Sequence, residues 1–482
     1  MSPIHEGLLD NGEEWEREQK HEFLRTAHDT AKWTLDIIQP SVLTRPGMRK
    51  QMRGTAYLDG LRGFAALLVY WHHHQLWPRQ LASGIFESSW GFRNEYYFCS
   101  TPVIRTFFSG GHFAVSVFFV ISGYCLSLKP LTLIHAGEHT RLGDNLASAL
   151  FRRWIRLFIP VILVTLLYIT SWHLFGIYTL APEHKATYRE ELWNWYLEFK
   201  DFSFVFRSGG SGWMLTSQYH AWSIPVEMRG SIIIYTALLA FSRLTKNARL
   251  WCELGLIFYF MYIVDGWFGS LFMGGLLLCD LNLLAAANKL PGFMYKLAPY
   301  KTYIFYALFC AAAWLSGVPS FSQDIEEVRK APGWYYLSFL KPQAVWDHKW
   351  FFLFWAATFT VSSIPHISWL KSFFECSFNQ YLGRISFSLY LVHGPVLWTL
   401  GDRLYQAVGW YREEHLQNTP SWINIFPLSQ TGPLGLEISF LAPHLILLPL
   451  TLWLAEVVTK LFDEPSVRFS QWAYGAVQPK DD

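Results

Sequence analysis

Ten apolar stretches of about membrane-spanning length recur near 57–76, 112–130, 154–174, 222–242, 250–265, 267–287, 300–317, 350–369, 382–401 and 436–459. Inside hydrocarbon a backbone finds no water to pair with, so an isolated apolar stretch satisfies its amides by folding as an α-helix. The expected fold class is therefore all-α: a polytopic membrane helix bundle of about ten transmembrane helices. Asp265 and Gly266 separate the fifth stretch from the sixth, and these two are alternatively a re-entrant pair. Composition agrees, because only 16% of the residues are charged against about 25% in soluble proteins. The 24 Trp and 24 Tyr suit belts at membrane–water interfaces. A net charge of +2, without a Lys/Arg-rich run, gives no reason to expect nucleic acid as a partner.

Basic residues fall in alternate connections. Arg45, Arg49, Lys50 and Arg53 precede the first stretch, and Lys129, Arg141, Arg152, Arg153 and Arg156 lie between the second and third. Arg243, Lys246 and Arg249 follow the fourth, and Lys289, Lys296 and Lys301 follow the sixth. The positive-inside rule makes these connections, and both termini, cytosolic. Residues 1–55 read as a cytosolic tail with no cleavable signal, so the first membrane helix acts as an uncleaved insertion signal in an ER-type or plasma membrane. Trp15, Phe23, Leu24 and Trp33 allow that tail a helix lying on the membrane surface. Residues 56–462 form the membrane domain and 463–482 a second cytosolic tail. The six cysteines lack metal-type spacing, and Cys99, in an outer loop, has no obvious partner, so no disulfide framework is expected.

Ionisable residues inside apolar stretches are functional candidates by default, because burying charge in a bilayer is costly. Arg62 and His73 stand three helical turns apart, on one face, about 16 Å along the axis. One end of this helix can grip an anion while the other handles a proton. The plainer alternative has Arg62 snorkelling at the helix start and the histidines at its wet end. His72, His73 and His74 diverge by about 100° each, so the triplet cannot chelate one ion and no metal is expected. Glu227, just after Pro225, needs a partner: His73, Arg229 or a substrate hydroxyl, with a structural pair to Arg229 as the plain alternative. His393 has no charged neighbour in sequence, and a bond to a backbone carbonyl would account for it. Tyr390, one turn earlier, can donate a hydrogen bond. Arg153 and Arg156 sit where the third stretch begins, which ordinary positive-inside anchoring also explains.

Four patterns then occur in chain order: Leu58-Asp59-Gly60-Leu61-Arg62-Gly63 with His73; Val117 to Tyr124 followed by the basic run Arg152 to Pro160; Trp222-Ser223-Ile224-Pro225-Val226-Glu227; and Ser386 to His393. Together they resemble acyltransferase family 3, in its fungal-type multi-pass form, over roughly residues 57–400. Bacterial members often carry an acidic residue just before the second pattern's aromatic pair, where this chain has Ser116. The resemblance implies a membrane O-acyltransferase that moves an acyl group, acetyl first among candidates, from acyl-coenzyme A to a hydroxyl on a small natural product, glycan or lipid. Such chemistry needs a base for the attacking hydroxyl and cations for coenzyme A phosphates. His73 and Glu227 are the catalytic candidates; Arg62, Arg153 and Arg156 the donor-binding ones; Tyr390 and His393 the substrate-binding ones. The donor is a co-substrate, and no permanent cofactor is expected. A transporter using Arg62, Glu227 and His393 as a proton relay is the rival reading, against which the absence of inverted repeats argues.

Overall fold

The computed structural model describes residues 32–41, 53–79, 84–180, 182, 184–206 and 214–478. They belong to two compact units, Met1–Gln51 and Met52–Asp482. In the first, a helix runs over 32–38 with Trp33 exposed. Trp15, Phe23 and Leu24, expected on a surface helix, lie outside the described residues. The second unit is built from helices, and among the described residues it has no strand, only an isolated bridge between Leu215 and Gln218.

Twelve helices carry the architecture: α1 (Ala56–Leu76), α2 (Gly111–Ala136), α3 (His139–Phe175), α4 (Tyr188–Ser203), α5 (Ser223–Phe241), α6 (Lys246–Phe258), α7 (Trp267–Ala286), α8 (Lys301–Leu315), α9 (His348–Ser363), α10 (Ser377–Val396), α11 (His444–Val458) and α12 (Glu464–Ala476). A helix occupies each of the ten apolar stretches, while α4 and α12 lie outside them. Five helical runs are long and apolar enough on their own to cross a membrane: Gly111–Ala136, His139–Phe175, Tyr219–Phe241, Trp267–Ala286 and Ile438–Ala476. The run His348–His366 with Ser368–Glu375, bent by 98°, makes a sixth if the two are one span. α1 falls outside this group because Asp59, Arg62 and three histidines dilute its apolar residues.

The break expected at Asp265 and Gly266 is present. α6 continues through a π-turn at Tyr259–Ile263, the backbone extends at Val264, and α7 restarts at Trp267 and packs back on α6. α3 is longer than expected: its 37 residues reach about 55 Å, well beyond a hydrocarbon core of about 30 Å. Arg152, Arg153 and Arg156 therefore sit at mid-helix rather than at a helix start. The segment expected as a second tail carries a packed helix over part of its length, because α12 occupies Glu464–Ala476 and packs against α3. The six cysteines are all unpaired.

Two close helix crossings centre the bundle. α1 lies on α10 at glycines: a Cβ on Gly63 would meet the Gly383 amide nitrogen at 2.3 Å, and a Cβ on Gly383 would meet the Asp59 carbonyl oxygen at 2.3 Å. No side chain fits at such distances, so the backbones touch. The two helices run in the same direction, since Arg62 meets Gly383 while His73, further along α1, meets His393. α2 crosses α7 in the same way at Gly123 and Gly275. Phe119, stacked on Phe272 at 5.3 Å, fills the space beside that second crossing.

Candidate active site

The α1–α10 pair forms one wall of a cavity of about 240 Å³, closed by α2, α3, α5 and the start of α12. Its charged end holds Arg62, Arg153, Arg156 and Arg384 against Glu227 and Asp463, an excess of two positive charges. Its other end is formed by aromatic and aliphatic side chains of α2, α5 and α10, with Ser223 and Tyr390 among them. A positive, partly desolvated end beside an apolar one suits an anionic ligand with a long neutral arm.

Each arginine is positioned differently. Arg62 donates from Nη2 to the Gly383 carbonyl at 3.0 Å and lies 3.9 Å from the Asp59 carboxylate, while its buried Nε has no hydrogen-bond partner. Arg153 donates from Nε to Ser231 Oγ at 2.8 Å and from Nη2 to Glu227, and Ser231 in turn donates to the Glu227 backbone carbonyl at 2.7 Å. This corrects the sequence expectation for Glu227. Its carboxylate pairs with Arg153 rather than with Arg229, whose Nε donates to the Val205 carbonyl. Nor does Glu227 bond His73. α3 and α5 are far apart in sequence, so no local spacing could have revealed the pair. Arg384 donates to Glu464 at 3.1 Å from α10. Sequence reasoning passed it over, although an arginine inside the apolar stretch 382–401 carries the same signal as Arg62.

The histidines lie one layer behind the cavity wall. Tyr390 Oη donates to the backbone carbonyl of His220 and accepts from Ser223 Oγ at 2.7 Å. The expected donor capacity of Tyr390 is thus already used within the protein. The His220 ring stacks on His73 with centroids 3.6 Å apart, and His73 Nδ1 bonds His393 Nε2 at 3.1 Å. Proton positions follow from the partners. His393 Nδ1 faces the Leu389 carbonyl at 3.2 Å, which only accepts, so Nδ1 carries the hydrogen and Nε2 the lone pair. His73 Nδ1–H is then the donor to His393, leaving His73 Nε2 as the basic nitrogen. The carbonyl bond expected for His393 is there, and a bond to His73 is added to it. His393 is thereby placed as the partner of the candidate base, not on the cavity surface. His220, just before the third pattern, had no sequence signal of its own.

The neighbours of His73 point elsewhere, as the helical geometry requires. His74 Nδ1 bonds Tyr405 Oη at 2.8 Å in a separate buried group with His444 and Tyr70, and His72 faces His112. Each member of the triplet belongs to a different cluster.

Residues 55–438 match the family described as an acyltransferase domain. The chain is also 30% identical to the O-acetyltransferase PaAT-1 of Phomopsis amygdali over 472 residues, covering 91% of this chain and 88% of that one. The chain belongs to acyltransferase family 3. As a family 3 member it is an acyltransferase, and its apolar helices are those of a membrane protein. The transporter reading is set aside by this membership. No solved structure matches it.

Proposed function

We propose that this family 3 member is an O-acyltransferase of about ten transmembrane helices that moves acetyl from acetyl-coenzyme A to a hydroxyl of a small natural product, glycan or lipid. The observation that carries this reading is convergence: four patterns spread along the chain from Leu58 to His393, each weak alone, all contribute to one cavity and the histidine pair behind it. Arg62, Arg153 and Arg156, joined by Arg384, bind the donor's phosphates, for which planar bidentate guanidinium groups are well shaped. The apolar wall takes the pantetheine arm. His73 Nε2 accepts the acceptor's hydroxyl proton as its oxygen attacks the thioester carbonyl. His393 Nε2 holds the resulting imidazolium through the His73 Nδ1–H bond. Collapse of the tetrahedral species expels coenzyme A thiolate, which takes that proton back, so the reaction needs no proton path across the membrane.

The parallel run of α1 and α10 is compatible with ten spans, and equally with eight if α6 and α7 form a re-entrant pair. Two parallel spans must be separated by an odd number of crossings, and α2, α3, α5, α6, α7, α8 and α9 supply seven. With the basic connections on one side, both termini are cytosolic and the arginine end of the cavity faces the cytosol.

The test is thiol release. Purified protein in detergent, given acetyl-coenzyme A and a panel of hydroxylated acceptors, releases coenzyme A and yields an acceptor heavier by one acetyl group in the mass spectrum. Neither release nor acetylated product, from protein that is folded and monodisperse, would overturn the reading.

A further inference from the structure

His72, the neighbour of the candidate base, is buried and turned about 100° around α1 from His73. Around it stand His112, at the start of α2, and Glu87, from the short helix Gly84–Glu87. The ligand-capable atoms of these three side chains all lie within 4.8 Å of one another. His72 is 5% exposed, and both its Nδ1 and that of His112 are buried without a hydrogen-bond partner. Burying a polar atom without a partner is unfavourable. Two histidines, each with an unpartnered buried ring nitrogen, thus converge with one carboxylate and leave a shared occupant to be sought. We propose that His72, Glu87 and His112 form a binding site for a divalent transition-metal ion, zinc fitting best.

Ring geometry separates this cluster from the other histidine group. A zinc–nitrogen bond of about 2.1 Å places the imidazole centroid about 3.2 Å from the ion, so two rings on a tetrahedral ion have centroids about 5.3 Å apart. The His72 and His112 rings are 5.7 Å apart and cross at 66°, which lets their in-plane lone pairs converge. His73 and His220 are 3.6 Å apart and inclined by only 25°. An ion shared by those two would subtend about 68° and lie well out of both ring planes, far from a tetrahedral arrangement. Two imidazoles and a carboxylate are a borderline donor set that suits zinc better than calcium or magnesium, and three ligands leave a fourth position for water.

Two cations also stand beside the cluster. Arg105 donates to the carbonyls of Phe86, Gly317 and Val318, and Lys349 pairs with Asp347 at 2.8 Å. Two cations and the two carboxylates of Glu87 and Asp347 leave the cluster neutral before the ion enters. No metal was expected from the sequence, because the three adjacent histidines diverge too far to share one ion. One member of the triplet supplies one ligand, and two distant segments supply the others. Bound there, the ion would tie the start of α2 and the Glu87 segment to α1 beside His73.

The experiment uses full-length protein in detergent, stripped with a chelator, dialysed against zinc chloride and measured for bound metal by inductively coupled plasma mass spectrometry. One zinc per chain is expected, and cobalt in its place should give the intense visible bands of a four-coordinate site. His112→Ala and Glu87→Gln should each weaken zinc binding at least tenfold, while His220→Ala should leave it unchanged. Gel filtration and circular dichroism identify variants that have not folded, and the near-isosteric Glu87→Gln keeps the test open if His112→Ala fails them. A folded wild type that binds no zinc, binding indifferent to Glu87→Gln, or loss of zinc in a folded His220→Ala would each overturn the site. Acyl transfer is not the readout, so this result stands apart from the proposed activity.

Discussion

Removing the His393 side chain tests how the candidate base is held. In the proposed mechanism, the His73 Nδ1–H···Nε2 His393 bond of 3.1 Å becomes a charge-assisted bond when His73 takes the acceptor proton. A hydrogen bond to a charged group contributes about 1.5–3 kcal/mol, which at 1.36 kcal/mol per decade lowers kcat by roughly 10–150-fold in His393→Ala. KM for acetyl-coenzyme A should stay within a few-fold, because the four arginines of the cavity are untouched. His73→Ala removes the base itself and should cost roughly 10²–10⁴ in rate. The decisive measurement is the double variant. If His393 acts only through His73, the pair together should be no slower than His73→Ala alone. His393→Gln, whose amide oxygen can accept from His73 Nδ1, should recover part of the loss. Initial rates of thiol release, normalised to folded protein, give all four values. Multiplicative losses in the double variant, or an unaltered kcat in His393→Ala, would refute the dyad.

Three further outcomes follow from the same geometry. Arg62→Lys keeps the charge but loses the planar fork, so KM for the donor should rise at least tenfold with a smaller change in kcat, read from saturation curves. Glu227→Gln leaves Arg153 with Ser231 as its remaining bond, and should reduce both folded yield and activity; adding Arg153→Gln should restore yield without activity, whereas adding Arg229→Leu should restore neither, by fluorescence size-exclusion and thiol release. Gly383→Ala places a methyl group 2.3 Å from the Asp59 carbonyl oxygen and should destabilise the protein by about 1–3 kcal/mol, seen as a lower melting temperature in detergent, while Gly143→Ala, where nothing lies within 4 Å, should not.

Much of the fold was legible because the bilayer imposes it. Apolar length and basic flanks mark helices one at a time, and each needs no information from its neighbours. The ends of helices were less legible. α3 continues as an amphipathic helix for fifteen residues before the apolar part begins at Trp154, and α12 is too polar to be seen as part of a membrane domain. Their positions depend on packing against each other, which hydropathy does not report.

The site divides along the same line. By itself the sequence determined the facial alignment of Arg62 and His73, because helical periodicity fixes it, and it determined that the histidine triplet must splay. It also marked Glu227, Tyr390 and His393 as polar groups needing partners. Only the tertiary structure decided who those partners are: Arg153 for Glu227, the His220 carbonyl for Tyr390, and His73 for His393. These pairs join helices tens to hundreds of residues apart, brought together by backbone contact at Gly63 and Gly383. A periodic pattern constrains the direction in which a side chain points along its own helix. What stands opposite it depends on which other helix arrives there, and that is settled by packing.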